Sequence, residues 1–210
     1  MNNLVFTFTG AAGSGKDTAA EMLVEYLRKN NVKVLEFAYA DFLKTICARN
    51  FGYDDSDKEN GRVILQTFGT DIVRALDPII WVETVFNMID VLRDIYDVFV
   101  ITDARFENEL QPHPWRMGYP IFNIMVKRDV KEDRLKDDAR DHVSEELGKT
   151  TNLSRFHYVI DNNKTLEDLQ KKVEEVYSDV SRARDDFLEK LREEQQAVDE
   201  KAKTWNDSVV

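Results

Sequence analysis

The sequence predicts an α/β fold: a doubly wound parallel sheet of about five strands with flanking helices, a lid segment and a long C-terminal helix. Three observations predict it. Short apolar, β-prone runs alternate with stretches of helical spacing, and the first such run leads directly into a glycine-rich loop and a helix. Two later runs, Val98 to Thr102 and Ile121 to Val126, are apolar without alternation, as strands buried on both faces are. In open sheets of this kind ligands bind beyond the carboxyl ends of the strands.

Leu4 to Phe8 reads as the first strand, Gly10 to Gly15 as the loop, and Lys16 to Arg28 as a helix through Ala19, Met22, Leu23, Tyr26 and Leu27. Val32 to Phe37 reads as a second strand, Asp41 to Asn50 as a helix with Cys47 on its apolar face, and Asp54 to Asn60 as an acidic loop. One helix is expected over Arg62 to Ala75. The next is expected to start at Asp77-Pro78, Asp suiting the N-cap and Pro the first helical position, and to run to about Tyr96. After the strand at Val98 to Thr102, Pro112 and Pro114 interrupt what would otherwise be helix, because neither donates a backbone hydrogen bond. Residues 129 to 150 are highly charged, and Tyr158 to Ile160 is a last short strand.

From Thr165 to Lys203 the chain is rich in Glu, Lys and Arg, with Val173, Val176, Val180, Ala183 and Phe187 at mostly three- and four-residue spacing. A continuous helix of that length would stretch about 58 Å, against a globule diameter of roughly 43 Å. Part of it is therefore expected to project, and two readings stay open: a solvated helix folded back on the domain, or a coiled-coil arm that makes a homodimer. The domain is placed at 1–177, with a lid at about 128–150, and the helical extension at 178–210.

Composition narrows the function classes. The chain has 210 residues, 42% of them hydrophobic and 33% charged, and no apolar stretch long enough to span a bilayer, so no membrane segment is expected. The first residues, MNNLVFTFTG, lack the basic start and apolar stretch of a secretory leader, and there is a single cysteine; the expectation is a reducing cytoplasm. A formal net charge of −11 disfavours nucleic-acid polymers as partners. A small anion in a local basic pocket remains compatible with that charge.

Such a pocket is signalled by Gly10, Gly13, Ser14, Gly15, Lys16, Asp17 and Thr18 between a predicted strand and a predicted helix. Glycines there let successive backbone N–H groups converge on phosphate oxygens, and the positive end of the new helix adds to that field. Lys16 falls in the first helical turn, where a cation is disfavoured by about 0.3–1 kcal/mol, so a bound anion is expected to offset it. The position after the lysine usually carries Ser or Thr for Mg²⁺; here it is Asp17, which could reach the metal itself, with Thr18 next to bond the α-phosphate. Asp103, ending the third predicted strand, is expected to position Mg²⁺ or an acceptor phosphate, with a helix N-cap as the plainer alternative. Residue 104 is alanine where hydrolytic phosphate-loop enzymes often place Glu, which favours transfer to a bound acceptor over hydrolysis. These features by themselves reach as far as a small-molecule kinase.

The ordered set of GKDT at 15–18, GTD at 69–71 with Trp81 downstream, Asp103-x-Arg105-x-x-x-Glu109 and VIDN at 159–162 resembles the phage-type deoxynucleoside monophosphate kinases. The likeness covers about residues 1 to 177. It implies a P-loop kinase-like fold, ATP as phosphoryl donor, Mg²⁺ as cofactor, a deoxynucleoside monophosphate as acceptor, and the host cytoplasm if the chain is phage-encoded. By the same resemblance Asp41 and Lys44 stand at the mouth of the acceptor site, and Gln66, Gly69, Thr70, Asp71, Arg74 and Trp81 line the monophosphate pocket. Arg74 and Arg105 are expected to clamp the acceptor phosphate, with pairing to an Asp or Glu neighbour as the alternative; Trp81 either stacks on a base or packs in the core. The charged stretch, with Arg128, Arg134 and Arg140, either resembles a lid closing over the triphosphate, with Arg128 assigned to ATP and Arg134 to the transition state, or is a solvated face. Two rival readings are kept: a kinase for dephospho-coenzyme A or ribonucleoside monophosphates, and a non-catalytic nucleotide-dependent assembly protein.

Overall fold

The computed structural model describes residues 3–110, 119–129 and 142–208. Five strands, β1 (Leu4–Thr9), β2 (Val34–Phe37), β3 (Val98–Ile101), β4 (Ile121–Lys127) and β5 (Tyr158–Asp161), form one sheet in the order β2-β3-β1-β4-β5. Every pairing is parallel, so all five carboxyl ends share one edge. From β1 the chain passes to the edge strand β2, returns to β3 beside β1, and then crosses to β4 and β5 on the other side, which makes the end of β1 the switch point where such sheets bind ligands.

Period-two alternation along β1 divides the core. Leu4, Phe6 and Phe8 face α1 (Lys16–Lys29) and the C-terminal helix α6 (Leu166–Ser208), whereas Val5 faces α4 (Ile80–Leu92) on the opposite side. All four side chains are fully buried, and burial of each contributes about 1.5–3 kcal/mol. A smaller cluster of Leu43, Cys47 and Trp81 joins α2 (Ala40–Asn50) to α4 beside the sheet edge, with Cys47 in the core as expected.

The segment expected to be one helix over Arg62–Ala75 is two. An α-helix, α3 (Lys58–Leu65), begins inside the Asp54–Asn60 stretch expected to be loop, where the Asp57 side chain accepts from Asn60 N and caps it. Beyond Leu65 the coil widens into a π-helical segment, Gln66–Arg74. Gly69 sits within it where a Cβ would stand 2.2 Å from Leu43 Cδ2, and the Gly69 carbonyl accepts from Trp81 Nε1 at 3.1 Å. Helix α4 starts later than expected, since Asp77 Oδ1 takes the N–H of Ile79 and shapes the preceding turn. It stops at Leu92, where the Asn3 side chain binds the carbonyls of Arg93 and Tyr96, and a short helix, α5 (Glu107–Leu110), follows β3.

Helix α6 opens with a reciprocal cap: Thr165 N donates to Asp168 Oδ2 at 3.3 Å and Asp168 N to Thr165 Oγ1 at 3.2 Å. It runs 43 residues without a break at 177, about 65 Å at 1.5 Å per residue. Leu169, Val173, Val176 and Val180 bury against the domain, so its first four turns belong to the core. No described helix is long and apolar enough to cross a membrane.

Candidate active site

The turn from β1 into α1 is a phosphate loop in conformation as well as in sequence. Gly13 and Gly15 adopt φ of 81° and 88°, left-handed values that side chains disfavour. Gly15 stands directly before α1, and a Cβ on it would lie 2.3 Å from Asn162 Nδ2. That amide donates to Ser14 O at 2.8 Å, so the end of β5 braces the loop from below. Ser14 Oγ is buried with no hydrogen-bond partner among the described residues, an unused donor inside the loop. Lys16 is mostly buried, its Nζ 3.1 Å from Asp17 Oδ2, while the Asp17 side chain is 69% exposed.

A cavity of about 1020 Å³ opens from this loop across the carboxyl ends of the strands. Its wall takes Gly10, Gly13, Gly15, Lys16, Asp17 and Thr18 after β1, Ala38 and Tyr39 after β2, Thr102 to Phe106 after β3, and Arg128 after β4. Lys44, Gln66, Gly69, Thr70, Arg74 and Trp81 complete the far side. Most of the residues predicted from the sequence therefore converge, but several do other work there.

Asp103 lies on the cavity wall and is engaged by the backbone. Its Oδ1 accepts from Tyr39 N at 2.6 Å and its Oδ2 from Ala40 N at 3.1 Å, so both oxygens cap the start of α2. The helix it caps is the one before β3, not one following that strand. Burial pushes this carboxyl up, against the pull of Arg105 and the two backbone donors. Arg74 reaches the wall already held: Nη2 is ion-paired with Glu109, Nη1 donates to Pro78 O at 3.1 Å and Asn108 Oδ1 at 3.2 Å, and the guanidinium lies 3.9 Å over the Phe106 ring. The neighbouring carboxylate expected as an alternative is thus Glu109.

Asp41 and Asp71 fall outside the cavity wall. Asp41 is exposed, and its Oδ2 accepts from Ala38 N at 2.8 Å, closing the turn between β2 and α2. Asp71 Oδ1 lies 3.3 Å from His142 Nε2. Trp81 is 6% exposed and hydrogen-bonded to Gly69, which makes it packing for the wall and not a free platform for a base. Arg128 is exposed at the rim; Arg134 lies outside the described residues.

The site also contains residues the sequence reading gave no role. Tyr39 is buried, its hydroxyl donating to Glu109 O at 3.0 Å. Gly148 packs onto the phosphate loop so tightly that a Cβ would stand 2.9 Å from Ala11 N and from Gly10 C and O. Ser144 Oγ accepts from Gln66 Nε2 at 3.3 Å, and Ser144 N donates to His142 Nδ1 at 3.2 Å, tying residues 142–149 to the π-helical segment. The signals available were the Glu109 of the Asp103-x-Arg105-x-x-x-Glu109 pattern and the Asn of VIDN.

The loop fits a polyphosphate: glycines clear its backbone, Ser14 Oγ is unused, and Lys16 sits at the helix start. For a metal, no group of three or more His, Cys, Asp or Glu comes together among the described residues. Mg²⁺ is commonly held by one or two carboxylates together with substrate phosphates and water, so its binding does not require such a group. Asp17 is a mostly exposed carboxylate on the wall beside Lys16, whereas each oxygen of Asp103 accepts a backbone N–H at the start of α2.

A parallel sheet of order 2-3-1-4-5 with a phosphate loop after its central strand defines the P-loop kinase fold. Residues 56–173 match the deoxynucleotide monophosphate kinase family, and the chain belongs to that family; it is a P-loop nucleotide kinase, a phosphotransferase. Among solved structures it is similar to the dephospho-CoA kinase from Campylobacter jejuni, at 12% identity and a TM-score of 0.49 over 88% of this chain and 100% of that one. It is also similar to the Mycobacterium tuberculosis APS kinase in complex with AMPPNP and APS, at 13% identity and a TM-score of 0.41 over 84% of this chain and 96% of that one. Comparison with curated proteins gives no match.

Proposed function

We propose that the protein transfers the γ-phosphoryl group of ATP to the phosphate of a deoxynucleoside monophosphate. The observation that carries this reading is the continuity of one cavity from the phosphate loop to the wall that holds Arg74 and Arg105. At about 1020 Å³ it stands at the upper end of the range of roughly 300–1,000 Å³ usual for a single small-molecule site. Such room suits two ligands meeting end to end.

Phosphoryl transfer asks for positioning and charge neutralisation and for little covalent help. In this reading the backbone N–H groups of residues 10–16 and the Lys16 ammonium hold the donor phosphates, with Thr18 on the α-phosphate and Arg128 at the rim. Mg²⁺, when bound, supplies charge neutralisation between the phosphates, with Asp17 as its protein ligand. Arg74 and Arg105 hold the acceptor so that one of its phosphate oxygens lies in line with the γ-phosphorus; that oxygen forms the new P–O bond as the bond to the leaving ADP breaks. Lys44, Gln66 and Thr70 line the acceptor end, and Arg134 is assigned to the lid. The net charge of −11 argues against a nucleic-acid polymer as partner, and a cytoplasmic location with a homodimer through α6 completes the proposal.

Lys16→Met tests the reading. It should abolish acceptor-dependent ADP formation while leaving the melting temperature and circular dichroism unchanged. An active, folded Lys16→Met protein contradicts it.

A further inference from the structure

Glu109 is 2% exposed, and a carboxylate at that depth is costly unless it is paired and hydrogen-bonded. Both of its oxygens are engaged. Oε1 accepts from Arg74 Nη2, while Oε2 accepts from the backbone N–H groups of Arg105 at 2.6 Å and Phe106 at 3.0 Å. Its carbonyl accepts from the Tyr39 hydroxyl at 3.0 Å. One residue therefore joins the end of the π-helical segment, the loop leaving β3 and the approach to α2, three segments that each line the cavity.

Stability is a weak reason for this arrangement. A buried ion pair can often be replaced by apolar side chains of similar volume without loss. Apolar side chains would not fix where a guanidinium points. Here the ring of Phe106 below Arg74, the contact from Asn108 and the pair with Glu109 leave that guanidinium one direction at the cavity wall. The same carboxylate shapes the backbone that presents Arg105.

We propose that Glu109 is the positioning residue of the acceptor site: it holds the Arg74 guanidinium and the Arg105 backbone in one fixed relation, so that the two arginines act as a single clamp for a phosphate monoester. The proposal rests on the preceding reading that the acceptor is a nucleoside monophosphate. It predicts damage on the acceptor side only, because no hydrogen bond joins Glu109 to the phosphate loop among the described residues.

The test compares wild type, Glu109→Gln and Glu109→Asp, varying the acceptor and Mg-ATP separately. In Glu109→Gln the acceptor KM should rise about 10- to 100-fold, with the Mg-ATP KM within about 2-fold, and Glu109→Asp, which keeps the charge, should recover part of the loss. An unchanged acceptor KM in folded Glu109→Gln overturns the proposal. So do equal rises in both KM values, which mark a general loosening of the fold. The Arg74 half is read without substrate, from the rate at which phenylglyoxal modifies Arg74, followed by peptide mass spectrometry. That rate should rise in Glu109→Gln and less in Glu109→Asp, and equal rates in all three proteins overturn it. A wild type that turns over no deoxynucleoside monophosphate sinks the acceptor reading alone, and the phenylglyoxal rates then decide the positioning claim.

Discussion

Asn162 and Ser14, 148 positions apart, are joined by a buried hydrogen bond of 2.8 Å from the Asn162 amide to the Ser14 carbonyl. The last strand thereby sets the height of the phosphate loop. Asn162→Ala removes the donor and leaves a buried carbonyl unsatisfied, at a cost of about 1–3 kcal/mol. The Mg-ATP KM should rise by about 5- to 100-fold and the acceptor KM stay within about 2-fold. Steady-state kinetics with each substrate varied in turn check this; an unchanged Mg-ATP KM removes the brace from the account.

Gly148 presses on the other side of the same loop. A Cβ there would stand 2.9 Å from backbone atoms of Gly10 and Ala11, which have no rotamer by which to give way. Gly148→Ala should weaken Mg-ATP binding by about tenfold, the effect of a 1–2 kcal/mol displacement of loop or turn. Calorimetric titration with a non-hydrolysable ATP analogue reads it directly, and wild-type affinity in the variant means the contact is slack.

Trp81 separates a wall from a platform. Trp81→Phe deletes the Nε1 bond to the Gly69 carbonyl and should lower stability by about 1–3 kcal/mol, with the acceptor KM within about 3-fold of wild type. Denaturant titration and acceptor kinetics give the pair of numbers. A large rise in KM at unchanged stability points instead to a ring that contacts the base.

Glu109 also imposes a pH dependence on stability. Burial pushes it up to about 7, against the pull of Arg74 and the backbone donors of Arg105 and Phe106, with Asp103 adding to the rise. The folded protein then keeps a proton that the unfolded chain has released between about 4.5 and 7. The contribution of this group is full below 4.5 and is lost as pH rises through about 7. Asp103 shifts in the same direction but is present in both proteins when Glu109→Gln is compared with wild type, so the difference isolates Glu109. The denaturant midpoint at pH 5 relative to that at pH 8 should be lower in the variant than in wild type, because His157, which burial holds below the ordinary histidine range, is common to both; equal differences contradict the assignment.

Much of the fold was legible because its signals are local. The five strands stand within one or two residues of their sequence bounds, since uninterrupted apolar runs such as Val98–Ile101 leave few alternatives to a buried parallel strand. The phosphate loop was legible for the same reason. Features set by contacts between distant residues were not. The widening into a π-helix at Gln66 accompanies contacts of Gly69 with Leu43 and Trp81, and periodicity along one segment carries no trace of either. Asp103 reads alike whether its carboxylate meets a metal or the N–H groups of Tyr39 and Ala40, because only the sheet order brings α2 beside it. Arg74 was legible as a residue of the pocket; its pairing with Glu109, 35 positions on, was not.

The measurement that tests the central claim most directly is coupled detection of ADP release from Mg-ATP with dAMP, dGMP, dCMP, dTMP and their ribose counterparts, each offered in turn to the purified full chain. The account predicts strong turnover with one or more deoxynucleotides and little with the ribonucleotides. ATP binding without any acceptor-stimulated release of ADP would contradict it.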